Sequence, residues 1–154
     1  FQEMCFVHRD FHASNIMVKN KKFGLIDSQD ALRGNLLYDV ASLIDDVRIK
    51  LPIKLKSSLF SYYLSKTSKI KNNTEKLLAQ NDFDILSVQR NLKILGIFVR
   101  LFKRDHKLSY LKYLPYIWEL LELRLKNPIF INLKYLLNKA VLIKNRKKVK
   151  FNDN

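Results

Sequence analysis

The sequence predicts an α+β fold, mainly α, in which a short β-hairpin is followed by about five helices. Three observations carry this. Strand and turn signals are confined to the first 36 residues, and helical periodicity begins past Tyr38 and persists. Only 3 Gly and 3 Pro interrupt 154 residues, of which 47% are apolar. A chain of that length buries roughly 70% of its unfolded surface, enough for a real core.

Cys5-Phe6-Val7 is a short strand candidate. Ile16-Met17-Val18 and Phe23-Gly24-Leu25-Ile26 flank Asn20-Lys21-Lys22, which predicts the hairpin. Helices are expected over 39–50, 53–68, 82–104, 109–126 and 129–144, with Pro52, Asn72-Asn73 and Pro128 as breaks. Pro115 has no amide proton to donate, so it starts or kinks its helix. Trp118 shares helical spacing with Leu114, Leu121 and Leu125 and reads as core, and Tyr62 and Tyr63 read as packing residues. With no internal repeat and no Gly/Ser linker, one compact unit is expected.

The composition excludes disordered, collagenous and low-complexity proteins. The longest apolar stretch, Ile94 to Val99, is six residues, far short of a membrane span of about 18. Phe1-Gln2-Glu3-Met4 has neither the basic nor the apolar region of a targeting peptide. Cys5 is alone, so no internal disulfide forms and a cytoplasmic home is the default expectation. The charge of +15 is unevenly spread: residues 1–50 hold seven basic and seven acidic groups, leaving 22 and 7 for residues 51–154. Nucleic acid is not the expected partner, because basic and aromatic residues form no stacking platform. Lys144, Arg146, Lys147, Lys148 and Lys150 crowd the carboxy end, and residues 145–154 read as a basic, frayed tail.

His8-Arg9-Asp10-Phe11-His12-Ala13-Ser14-Asn15 is the most informative segment. Its spacing, H-R-D-x-x-x-x-N, is the catalytic-loop pattern of phosphoryl transfer. An attacking hydroxyl must be oriented and relieved of its proton, which a carboxylate at Asp10 does. An amide oxygen at Asn15 holds a Mg²⁺ that bridges phosphates. Asp27 ends the apolar run Phe23 to Ile26, where a second oxygen ligand projects. The competing structural reading has His8 and Asp10 bonding each other and Asn15 capping a turn.

These residues resemble the aminoglycoside phosphotransferase and choline kinase group, relatives of protein kinases that carry a His where His12 stands. Ile26-Asp27-Ser28-Gln29-Asp30-Ala31, followed by Tyr38-Asp39-Val40-Ala41-Ser42-Leu43, is similar to the narrower group of bacterial N-acetylmuramate/N-acetylglucosamine anomeric kinases. Gln89-Arg90-Asn91-Leu92-Lys93, Gly96-Ile97-Phe98 and Arg104-Asp105 resemble their helical region. The likeness runs from about Phe6 to Tyr110. Ser28 departs from it, replacing the aromatic residue that commonly buttresses the metal-binding Asp.

The resemblance implies the carboxy-terminal lobe of a protein-kinase-like fold over residues 1–144. Its catalytic loop is 8–15, its metal-binding strand end 23–30 and its helical part 39–144. Catalysis falls to Asp10 with His8 and Arg9, and magnesium to Asn15 and Asp27. His12 and Asp39 support the loop, although Asp39 also reads as a helix cap ahead of Val40. Gln29 and Asp30 are candidate acceptor contacts or a solvated turn. Only eleven steps separate Asp27 from Tyr38, without an A-P-E segment, so the acceptor is a small alcohol or sugar rather than a peptide.

Taking Gln89 as zero at about 100° per residue, Lys93, Arg100 and Arg104 fall near 40°, 20° and 60°. Gly96 and Lys103 lie just to the other side. That stripe is a solvated face, or else a cleft wall on which Arg100 meets an anionic group of the acceptor; Gly96 then permits close approach. The implied reaction is ATP- and Mg²⁺-dependent phosphorylation of an amino sugar. The alternatives are an aminoglycoside- or choline-type kinase and a catalytically inactive binding module. The nucleotide-binding amino-terminal lobe is expected to be absent and supplied in cis or in trans, leaving bare an apolar floor around Phe6, Val7, Ile16 and Ile26.

Overall fold

A computed structural model describes residues 4–68 and 70–147. Four strands come first: β1 (Met4–Val7), β2 (Ile16–Lys19), β3 (Lys22–Leu25) and β4 (Leu32–Asn35). They are followed by α1 (Tyr38–Ile44), α2 (Ile53–Lys66), α3 (Asn73–Asp105), α4 (Leu114–Arg124), α5 (Ile131–Ala140) and α6 (Ile143–Arg146). Short 3₁₀ turns lie at Ala13–Asn15, Leu108–Tyr113 and Pro128–Phe130. The fold is α+β and mainly α, as expected. Instead of one compact unit, the contacts define two, Phe1–Ser87 and Val88–Asn154.

In the first unit, β2 and β3 form the hairpin, with Ile16 opposite Leu25 and Lys19 opposite Lys22. The turn is the two residues Asn20 and Lys21, at φ 50° and 61°. Two left-handed residues match the right-handed strand twist, which is why such turns close hairpins. A second antiparallel pair, unforeseen in the sequence, joins β1 to β4 with Val7 opposite Leu32. Leu32-Arg33-Gly34-Asn35 carries no β-branched or aromatic residue. The two strands come close at Gly34, where a Cβ would lie within 3.1 Å of the Val7 side chain. Val7 is therefore buried rather than part of a bare floor, and Ile16 is half-buried. Phe6 and Phe23, by contrast, are 70% and 77% exposed, and Ile26 is exposed with them.

The core of this unit gathers Leu36, Leu37, Ala41, Ile44, Phe60, Ile70, Ala79 and Phe83. Phe60 and Phe83 pack with ring centroids 4.5 Å apart. Tyr63 is half-buried and its hydroxyl donates to the Leu36 carbonyl at 3.2 Å, whereas Tyr62 is exposed beneath the Lys66 ammonium. The first helix stops at Ile44 rather than 50. Asp45 and Asp46 turn their carboxylates to other segments, and Pro52 then opens α2 from an extended conformation.

The third helix starts at Asn73, nine residues before the expected 82. Asn72 is its cap: the Asn72 Oδ1 accepts from the Glu75 amide at 2.8 Å, and Glu75 Oε2 accepts from the Asn72 amide at 3.2 Å. This reciprocal box satisfies donors that a helix start otherwise leaves free. Those amide bonds, from Lys71 first and Asn72 next, hold the Glu75 carboxyl below its ordinary range. Its stabilisation is therefore present above the unfolded value of about 4.3 and lost as pH falls through the lower folded value. Glu75→Gln should melt below the parent at neutral pH, and the gap should close in acid. A gap that is constant from pH 7 to pH 3 would remove the carboxylate from the cap.

The second unit is built on Val88, Ile94, Phe98, Leu111, Ile117, Trp118, Leu120, Leu121 and Leu125. Phe98 meets Tyr110 and Tyr113 at 4.9 and 5.7 Å. Pro115 stands in the first turn of α4, where its missing amide proton costs nothing. The helix expected over 129–144 divides at Val141, which is extended. Arg146 explains the division. Its guanidinium donates to the carbonyls of Leu137 and Val141 at 2.7 and 2.8 Å and stacks over Trp118 at 4.5 Å. Read as part of a frayed tail, Arg146 is instead buried against the end of α5; residues 148–154 lie outside the described residues.

Candidate active site

Loop 8–15 leaves the end of β1 and is held from α1. The Asp39 carboxylate accepts from the His8 amide at 2.7 Å and from the Arg9 amide at 3.0 Å. Asp39 lies inside the first turn, and the N-cap position belongs to Leu37, so its carboxylate serves the loop rather than capping the helix. Arg9 takes a left-handed φ of 71°, a conformation that a non-glycine residue keeps only when its surroundings enforce it.

The His8 ring is 2% exposed, packs edge-on to Phe11 at 6.2 Å and has no polar partner at either nitrogen among the described residues. The bond between His8 and Asp10 that the structural reading required is therefore absent. Asp10 is half-buried at the bend.

Past Asp10 the chain tightens into the 3₁₀ turn. The His12 amide donates to the Asp10 carbonyl at 3.0 Å, and the Asn15 amide donates to the His12 carbonyl at 2.9 Å. The Asn15 side chain is buried and its Nδ2 donates to the same Asp10 carbonyl at 3.0 Å. With the nitrogen so committed, Oδ1 is the atom Asn15 offers to a cation.

The hairpin register then brings Asp27 alongside. Ile16 faces Leu25, and the Ile26 amide donates to the Asn15 carbonyl at 3.1 Å, so Asn15 and Asp27 flank the open end of the same hairpin. Asp27 also takes a left-handed φ, 69°. Where Ser28 offers no aromatic packing, Gln29 Nε2 donates to Asp27 Oδ1 at 2.6 Å. The Arg9 guanidinium donates to the Asp30 carbonyl at 3.2 Å and ties this turn to the loop. Gln29 and Asp30 are exposed beside it.

Asp10, Asn15 and Asp27 are thus joined through backbone bonds within the first unit. One neutral oxygen and one carboxylate suit Mg²⁺, which keeps several positions for water and phosphate. No cluster of three His, Cys, Asp or Glu side chains that could hold a metal ion occurs among the described residues.

Arg100 lies in the second unit, exposed on α3 with Gln89, Lys93, Lys103 and Arg104. Arg104 is paired with Asp105 at 2.7 Å. Gly96 faces open space, with nothing that a Cβ would meet within 4 Å among the described residues. One residue at the loop went unnoticed in the sequence. Buried Asp46 accepts from the Ala13 amide at 3.4 Å. Its signal was an adjacent pair of acids, Asp45-Asp46, in otherwise apolar surroundings. No helix is long and apolar enough to cross a membrane among the described residues.

Residues 2–74, which include the loop, both strand pairs and Asp39, match the model of a family described as "Phosphotransferase enzyme family". The chain is 34% identical over 125 residues to an N-acetylmuramate/N-acetylglucosamine kinase of Pseudomonas aeruginosa, covering 79% of this chain and 36% of that protein. A kinase of the same name from Neisseria meningitidis is 34% identical over 116 residues, 74% of this chain and 35% of the relative. That of Caulobacter vibrioides is 27% identical over 147 residues, 92% of this chain and 39% of the relative. The chain spans little more than a third of the length of these curated relatives.

Proposed function

Through residues 2–74 the chain belongs to the phosphotransferase enzyme family, and from that premise we propose that it forms part of an ATP-dependent kinase phosphorylating a hydroxyl of an amino sugar, N-acetylmuramate or N-acetylglucosamine. The observation that carries this is the joined set of Asp10, Asn15 and Asp27 on a loop clamped by Asp39.

Asp10 orients the acceptor hydroxyl and takes its proton as the oxygen attacks the terminal phosphate. Asn15 Oδ1 and the Asp27 carboxylate hold Mg²⁺, which when bound offsets the charge of the phosphate oxygens. His8 lies too deep to touch a substrate, so it acts by packing beneath the loop. Arg9 acts through its bond to the Asp30 carbonyl, which keeps loop and turn together. His12 supports the loop from its buried position. Gln29, through its remaining amide oxygen, and Asp30 meet hydroxyls of the acceptor.

The complete protein carrying this chain should transfer phosphate from ATP to one or both sugars and leave choline and aminoglycosides unmodified. Asp27→Ala should raise the half-saturating Mg²⁺ concentration about tenfold or more, a loss of roughly 1.4 kcal/mol of binding. Transfer to choline or an aminoglycoside in place of the sugars would overturn the acceptor class. An unchanged Mg²⁺ requirement would remove Asp27 from the metal site.

A further inference from the structure

The geometry points to Asp46 as a second positioning residue of loop 8–15: its carboxylate holds the Ala13–Asn15 turn and thereby the placement of Asn15 Oδ1 relative to Asp10 and Asp27. This rests on the phosphotransfer reading above. Asp46 is 3% exposed and lies just past the end of α1. A carboxylate is costly to bury unless bonded, and here a second one, Asp45, stands next to it.

The two are satisfied differently. Asp45 takes the buried Lys56 ammonium at 2.9 Å and the Ser87 hydroxyl at 2.6 Å. Asp46 takes amides: its Oδ1 accepts from the Arg48 amide at 3.0 Å and from the Arg48 guanidinium at 3.4 Å, and its Oδ2 accepts from the Ala13 amide at 3.4 Å.

The Ala13 amide opens the 3₁₀ turn, so no bond within that turn occupies it. Three residues closed by their own backbone bonds make a weak turn. An external acceptor at the first amide fixes it. Since Asn15 closes the turn and its Nδ2 is tied to the Asp10 carbonyl, moving the turn moves Oδ1.

Asp39 and Asp46 are seven residues apart and grip opposite ends of the loop, one at His8 and Arg9, the other at Ala13. The anchor of Asp46 is itself secured, because Lys56 also donates to the Ile44 carbonyl at the last residue of α1.

The test compares Asp46→Asn, which keeps an acceptor for Arg48 but can set an amide donor against Ala13, with Ala13→Pro. The latter deletes the amide proton where His12 is already extended, at φ −141° and ψ 166°, as a residue before proline prefers. Mn²⁺ binding followed by its electron paramagnetic signal, and hydrogen exchange over residues 12–15, are measured in the complete protein.

Both variants should raise the half-saturating Mn²⁺ concentration about tenfold, the lower end of what outer-shell losses cost. In Asp46→Asn the exchange at 12–15 should also accelerate while that of α2 stays unchanged. Arg48→Ala, which spares the Ala13 bond, should change neither. Parent-like Mn²⁺ binding in folded variants would overturn the proposal. So would global unfolding of both, since the bond would then hold the fold rather than the turn. A protein that phosphorylates no sugar would sink the functional reading, yet the Mn²⁺ and exchange comparisons would still decide the role of Asp46.

Discussion

Asp10→Asn in the complete protein is expected to lower turnover by roughly 10²–10⁴, the usual worth of a positioned general base. The amide is nearly the same size but cannot take the acceptor's proton, so orientation survives and proton removal does not. Folding should be almost untouched, because the contacts that shape the loop run through backbone groups of residue 10, not its carboxylate. The measurement is single-turnover phosphorylation alongside thermal melting. A loss of less than about tenfold with an intact fold would remove Asp10 from proton transfer.

Lys56→Met is expected to cost stability instead, by about 3–5 kcal/mol. Lys56 is 4% exposed, and its ammonium bonds both Asp45 and the Ile44 carbonyl. Deleting one partner strips a buried carboxylate of its countercharge, although Ser87 still donates to it. For a chain of this size the melting temperature should fall by roughly 6–20 °C. Replacing both partners, as Lys56→Met with Asp45→Leu, should recover most of that loss, because a buried pair exchanged for packed apolar groups is often near neutral. A single-variant loss below about 1 kcal/mol, typical of a surface pair, would show that water reaches the pair.

Much of the candidate site was legible because the chemistry proposed for it is local. The roles proposed for H-R-D-x-x-x-x-N put a base and a metal ligand on one short loop, so the spacing is written in consecutive residues. The place of Asp27 beside Asn15 was equally readable, because a hairpin of two short strands returns the chain to its starting point. Asp39 was harder: its position suggests a helix cap, and only the resemblance implies support of the loop, where its carboxylate accepts from the His8 and Arg9 amides. The start of α3 is hidden in the sequence because Asn72-Asn73 reads as a break, although Asn72 and Glu75 have the spacing of a reciprocal cap.

Fold class, hairpin and the position of the loop motif could be read along the chain, since periodicity, turn residues and motif spacing depend only on neighbouring residues. Other features arise only when distant segments meet. The pairing of β1 with β4 brings Gly34 against Val7, residues 27 positions apart. The sorting of Asp45 to Lys56 and of Asp46 to Ala13 depends on which donors the folded chain brings near. Arg146 left its expected tail because the carbonyls of Leu137 and Val141 at the end of α5 and the face of Trp118 lay within reach. A buried charge must find partners wherever the fold supplies them, and that demand acts across space, where no local pattern records it.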